Sequence, residues 1–230
     1  MHKVRLGLIG YGNMGAGHAA QILGGKIPRL VLTAVTQHSS ARRPSLPGVK
    51  VFADPVALLR SGLVDAVLIA TPHPTHAPLA LAALKAGFHV LLEKPFAVHK
   101  AEALQVAAAA KRRPRQIFGL VFNQRTDPYF RKIRELIRGG TFGPVRRIHW
   151  TITNWFRPEA YYQSSSWRAT WAGEGGGVLL NQCPHNLDLL QWMTGMPVCV
   201  RAHCHFGRYH DIEVEDDVSA YLEYADGAHA

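Results

Sequence analysis

Three groups of residues have the types and spacing to do chemistry together. Glu93-Lys94-Pro95 ends an apolar Val90-Leu91-Leu92 run, and far upstream of it stands Gly10-Tyr11-Gly12-Asn13-Met14-Gly15. In the second half of the chain, Gly175-Gly176-Gly177 precedes Asn181, His185 and Asp188. Oxidising a secondary alcohol requires hydride to leave carbon while a proton leaves oxygen, so a base and an electrostatic partner must stand beside a hydride acceptor. Lys94 suits the partner's part: a partly buried lysine has a lowered pKa, and its ammonium can hydrogen-bond an alcohol oxygen and stabilise developing alkoxide charge. Pro95 restricts the backbone just after it, and Glu93 is placed to pair with a neighbour or hold the loop. His185 suits the proton acceptor near neutral pH. Asn181 can bind and orient a hydroxyl, but an amide neither carries negative charge nor takes a proton. If one helix runs over 178–194, Asn181 and His185 are an i,i+4 pair on one face, and Asp188 can orient the imidazole or contact the core. Pro184 fits only a first helical turn, so a later start would make that pairing less regular.

These groups need a frame. Residues 3–24 read strand, glycine turn, helix: Leu6, Leu8 and Ile9 suit a buried parallel strand, and Gly10 suits the tight turn after it. Gly12 lets a pyrophosphate approach the backbone, Gly15 lets the helix pack on the sheet, and the first helical amides, including those around Asn13 and Met14, face the phosphates. The alternative is a tight turn in another α/β fold. Strands are predicted at 30–35, 49–52, 65–70, 88–92 and 116–122, with helices at 55–60, 76–86 and 100–111. That alternation predicts an α/β, doubly wound parallel sheet: a dinucleotide-binding Rossmann domain over residues 1–122.

Beyond residue 122 the pattern changes. A helix is predicted at 128–138 and stops at Gly139-Gly140. A long alternating strand follows at 145–156, then the helix at 178–194 and two strands at 198–206 and 218–224. Residues 123–230 are expected to form a second α+β domain on an open, mostly antiparallel sheet. Asp226-Gly227 signals a hairpin, yet only Ala228-His229-Ala230 follow, which predicts an unpaired edge and a chain shortened at its carboxy end.

Of the 230 residues, 47% are hydrophobic and 18% charged, the composition of an ordinary globular protein, and no apolar run is long enough to cross a membrane. The first strand begins almost at Met1, leaving no room for a signal peptide, so a cytoplasmic location is expected. Cys183, Cys199 and Cys204 are too few for a disulfide framework and read as thiols. The net charge of +10 is scattered over Arg42-Arg43, Lys111-Arg112-Arg113, Arg131-Lys132 and Arg146-Arg147 without interleaved stacking aromatics, so no nucleic-acid partner is expected.

Gly10 to Gly15, Ala70-Thr71-Pro72 with His76, Glu93-Lys94-Pro95, and the triple glycine followed by Asn181, His185 and Asp188 together resemble the glucose-fructose oxidoreductase, inositol dehydrogenase and MocA family, in that family's order and over almost the whole chain. The resemblance implies a Rossmann domain, an open-sheet domain that lines the substrate site and supports homo-oligomers, and reversible hydride transfer between NAD(P) and a hydroxyl of a sugar, cyclitol or related polyol. It places Thr71, Pro72, His76 and Glu93 beside the dinucleotide and no metal in the site. Many members carry aspartate where this chain has Asn181, so proton transfer falls to His185 and Lys94. Trp155, Tyr161, Tyr162, Trp167, Arg168 and Trp171 form an aromatic cluster suited to a sugar ring, and Arg125, Arg168 and His76 are candidate lining groups. After the second strand, Thr36-Gln37-His38-Ser39-Ser40-Ala41-Arg42-Arg43 offers no carboxylate for a ribose 2′-hydroxyl. His38, Ser39 and Arg42 or Arg43 could instead take a 2′-phosphate, so NADP is favoured. The alternatives are a nicotinamide-assisted glycoside hydrolase or lyase, and a nucleotide or sugar sensor without activity.

Overall fold

The computed structural model describes residues 3–38, 44–154 and 156–230. It contains two compact units, Met1–Val121 and Phe122–Ala230.

In the first unit, six strands alternate with helices: β1 (Val4–Ile9), α1 (Asn13–Leu23), β2 (Leu30–Thr36), β3 (Lys50–Phe52), α2 (Pro55–Leu59), β4 (Ala66–Ile69), α3 (His76–Lys85), β5 (His89–Leu92), α4 (Lys100–Lys111) and β6 (Phe118–Leu120). The sheet has the order β3-β2-β1-β4-β5-β6 and every pairing is parallel. This is the doubly wound arrangement, in which the strand order reverses between β1 and β4. Successive side chains point to opposite faces, so both faces must be apolar. Ile9, Val67, Ile69 and Leu92 pack under Ala80, Leu84 and Val106 of α3 and α4. Leu6, Leu8, Leu32 and Leu68 meet Ala19 and Ile22 of α1 on the other side. Each fully buried leucine or isoleucine contributes about 1.5–3 kcal/mol.

The second unit holds α5 (Pro128–Arg138), α6 (Glu159–Gln163), α7 (Pro184–Thr194), β7 (Cys199–Phe206) and β8 (Glu215–Glu223). β7 and β8 form a two-stranded antiparallel sheet. Asp127 starts α5, its carboxylate accepting from the Tyr129 amide at 2.8 Å ahead of Pro128. At the carboxy end, Gly227 N donates to Tyr224 O and the chain folds back, Leu222 and Ala230 exchanging two bonds of 2.9 Å.

Two expectations are corrected. Residues 145–156 do not make a long strand: among the described residues Arg147 alone pairs, as a parallel bridge to His229. Alternation sets which side chains could face a core, but a strand also needs a neighbour along its length. The helix expected over 178–194 is two pieces. A wide turn of π type covers Val178–Gln182, and α7 starts afresh at Pro184, which takes a first-turn position where its missing N–H costs nothing.

One glycine is dictated by contact distance. A Cβ on Gly15 would stand 2.0 Å from Gly10 O, whereas one on Gly12 would meet nothing within 4 Å. Gly15→Ala is expected to lower stability in urea unfolding by about 1–3 kcal/mol, despite alanine's better helix propensity. Gly12→Ala should stay within about 0.5 kcal/mol of the parent. Equal stability for the two variants would contradict the close helix–turn contact.

Candidate functional site

In the first unit, the ends of β1, β4 and β5 lie side by side, because Ile9 pairs with Ile69 and Ile69 with Leu92. The glycine turn, the 70–76 segment and Glu93-Lys94-Pro95 therefore leave the sheet along one edge. Ala70 N donates to Ile9 O at 2.8 Å and Glu93 N to Ile69 O at 2.9 Å, carrying the alignment one residue past each strand. Gly10 turns away with φ +98°, where a Cβ would lie 2.6 Å from Ala70 O, and its amide donates to Thr36 Oγ1 at 2.9 Å. Helix α1 begins without a side-chain cap or an acid in its first turn, beside the open space over Gly12, with Asn13 and Met14 exposed. Uncapped amides with room above them fit the pyrophosphate of a dinucleotide.

Past the second strand, Gln37 N donates to Phe52 O at 2.9 Å and His38 is exposed. Ser39, Arg42 and Arg43 lie outside the described residues, as does Trp155. Thr71 Oγ1 accepts from Thr75 Oγ1 at 2.6 Å, and Pro72 leads into a short turn of 3-10 helix, His73–Thr75.

Two residues expected to contact the dinucleotide have other partners. His76 is 1% exposed, with Nδ1 2.7 Å from Pro95 O and Nε2 2.9 Å from Thr71 O; a neutral ring donates to one of these carbonyls, and it sits between the two loops instead of lining a surface. Burial pushes its pKa below the usual histidine range, against the pull of the two carbonyls. Glu93 is 5% exposed. Its Oε1 stands 2.6 Å from Nε2 of His18 on α1, and its Oε2 accepts from the Lys94 amide at 3.1 Å. Glu93 thus holds the backbone of Lys94 from below. The sequence reading did not single out His18, whose position within α1 carries no motif signal.

In the second unit, Asn181 sits on the wide turn, not on α7. Its Nδ2 donates to Glu174 Oε1, a short contact, and to Tyr161 OH at 3.1 Å. Arg168 Nη1 donates to the same phenol at 2.6 Å, and the guanidinium carbon lies over the Tyr161 and Trp167 rings at 4.2 and 4.7 Å. Glu174 is fully buried, and its Oε2 accepts from the Ala169 amide at 2.7 Å. Glu174 was not anticipated either: an acid before a glycine run gives no hint that it turns inward. A carboxylate only accepts, so Asn181 must offer it the amide nitrogen, which turns Oδ1 the other way. Tyr162 packs edge-on to Tyr161 and His210, and burial first, then Tyr161, Glu174 and Asp216, push its pKa up to about 12, which keeps the phenol neutral.

On α7, His185 meets the Phe122 ring edge-on, with centroids 5.9 Å apart. Both Asp188 oxygens bind Arg125, at 2.7 Å to Nε and 2.5 Å to Nη2, which commits one edge of the guanidinium to the ion pair. The aromatic cluster divides as well: Tyr161, Trp167 and Arg168 gather around Asn181, while Trp171 lies against Phe206, 6.0 Å between centroids.

The family model for the oxidoreductase family with an NAD-binding Rossmann fold matches residues 4–119, and that for the GFO/IDH/MocA C-terminal domain matches residues 130–230. The chain belongs to the GFO/IDH/MocA family. Among curated relatives, an uncharacterised oxidoreductase of Escherichia coli, YdgJ, is 32% identical over 196 residues, 85% of this chain and 55% of the relative. An inositol 2-dehydrogenase of Leifsonia xyli is 31% identical over 85% of this chain and 55% of its own length. The chain therefore spans about half the length of these relatives. Among solved structures, the WlbA dehydrogenase of Chromobacterium violaceum, in complex with NADH and UDP-GlcNAcA, superposes with a TM-score of 0.86 at 27% identity, over 100% of this chain and 66% of that one. The myo-inositol 2-dehydrogenase of Lactobacillus plantarum gives 0.84 at 26% identity, over 99% and 68%.

The buried Glu174 makes a prediction about Asn181. Asn181→Asp would set two carboxyls against each other, which raises the folded pKa of the new one. Its stabilising contribution is then present at low pH and lost as pH rises through that raised value. Urea unfolding should show the variant close to the parent near pH 4 and less stable by roughly 1–3 kcal/mol at pH 8. A deficit independent of pH would contradict the Glu174–Asn181 contact.

Proposed function

We propose that this chain is the hydride-transferring part of an NAD(P)-dependent oxidoreductase acting on a secondary hydroxyl of a sugar, glycoside or cyclitol, with Lys94 and His185 handling the hydroxyl proton. The observation that carries the reading is the buried Glu93 carboxylate, which fixes the Lys94 backbone at the sheet edge where the glycine turn also emerges. Gly10, Gly12, Asn13, Met14, Gly15, Thr71 and Pro72 would hold the dinucleotide, whose nicotinamide supplies the hydride acceptor or donor. Lys94 gives the substrate oxygen an ammonium donor, which stabilises negative charge as it develops. His185 takes the proton. Asn181, held by Glu174 and Tyr161, orients a hydroxyl. Arg168 and Trp167 offer a planar cationic and aromatic surface to a sugar ring. Relatives named for inositol and a nucleotide sugar support a polyol substrate class. In the same reading the β7–β8 sheet, with Val200, Phe206 and Tyr221 exposed, is where copies associate.

Lys94→Met should abolish reduced-nicotinamide formation in a screen of sugars, glycosides and cyclitols, while the cofactor dissociation constant stays within about threefold. His185→Ala should lower kcat by about 10²–10⁴. Near-normal turnover of either variant would remove that residue from the mechanism. Glycoside cleavage with no net change at the nicotinamide band would point to the hydrolase or lyase alternative.

For the cofactor, no carboxylate stands between Thr36 and Arg43, which supports NADP, although a solved relative carries NADH. Parallel titrations with NADPH and NADH should show the phosphorylated form binding more tightly. Binding of NADH that is tighter by about tenfold, some 1.4 kcal/mol, would overturn this assignment.

A further inference from the structure

His18 has no assigned part in the reading above, yet it makes the one side-chain link between α1 and the lysine loop recorded among the described residues. Its Nε2 stands 2.6 Å from Glu93 Oε1, and the Glu93 side chain is only 6% exposed. The other carboxylate oxygen accepts from the Lys94 amide. A buried carboxylate without a partner is costly, so both Glu93 oxygens need donors that hold them in place. Because the ionised carboxylate only accepts, His18 Nε2 must carry the hydrogen. The helix bearing His18 is the one whose first turn faces the open space over Gly12.

We propose that His18 is a positioning residue: by donating to Glu93 Oε1 it holds that carboxylate with its other oxygen turned toward the Lys94 amide, so the dinucleotide-binding helix and the lysine are set as one body. The inference rests on the reading that Lys94 acts at the substrate oxygen. It differs from a plain staple between helix and sheet, which would affect stability without affecting Lys94.

The test uses His18→Leu, which keeps volume and removes the donor, and His18→Gln, whose amide N–H can reach where Nε2 stood. Lys94 reactivity is read without cofactor, as its rate of acetylation by acetic anhydride followed by mass spectrometry, with Lys50 and Lys85 as internal references. His18→Leu should change the Lys94 rate by about threefold or more and leave the references within about 1.5-fold. It should lower kcat by about tenfold or more, with cofactor affinity within about twofold. His18→Gln should recover most of both readouts. Glu93→Gln tests the same link from its other end and should reproduce the His18→Leu effects if that variant proves too unstable to assay. Unchanged Lys94 labelling and kcat in His18→Leu, or equal loss in His18→Leu and His18→Gln, would overturn the proposal. Absence of hydride transfer in the parent chain would instead defeat the functional reading, and the labelling rates would still decide the part played by His18.

Discussion

A carboxylate removed from water must find partners, and that constraint at Glu93 organises the first unit's site. The residue lies one position beyond β5, where the parallel register delivers the ends of β1, β4 and β5 to the same edge. Its oxygens divide between His18 on α1 and the Lys94 amide. His76, at 1% exposure, packs between the Thr71 and Pro95 carbonyls and its ring N–H donates to one of them. Three chain segments far apart in sequence thus meet at two buried side chains, beside the loop that carries Lys94. A lysine on a freely moving loop would lose the orientation that proton handling requires.

The second unit follows the same physics with a different carboxylate. Glu174 is buried beside Asn181 and fixes which end of that amide it presents. A carboxylate thus stands against the position 181 amide, inside the fold. Arg168 stands 3.9 Å from Glu174 and donates to the Tyr161 phenol that also receives Asn181. The charges of this network balance within it, which is how buried ionic groups are tolerated.

Much of this was legible in the sequence because it depends on local rules. Short apolar runs separated by helical stretches gave the strand and helix alternation of the first unit, and the glycine pattern after the first run gave the turn. Helix α7 was expected from 178, with Pro184 giving the reason for a later start, and the later start is what the fold shows. The misreadings share a cause: they concern partners distant in sequence. Residues 145–156 alternate as a strand would, but the spacing of one segment does not tell whether another lies alongside. Asp188 sits one helical turn from His185, yet it pairs with Arg125. His76 and Glu93 belong to motifs and were read as contacts to the dinucleotide, and the fold adds what no motif gives, their buried protein partners. His18 and Glu174 belong to no motif and become visible only when the fold brings an acceptor within reach.

The central claim, that the Lys94 amine supplies the proton and charge needed at the substrate oxygen, is tested most directly by chemical rescue. Lys94→Ala would be assayed for hydride transfer with a polyol substrate in the presence of small primary amines spanning a range of pKa. The account predicts an inactive variant whose rate returns in proportion to added amine and follows amine pKa, as general acid–base catalysis requires. A variant that turns over at the parent rate without amine, or that no amine of any size restores, would contradict it.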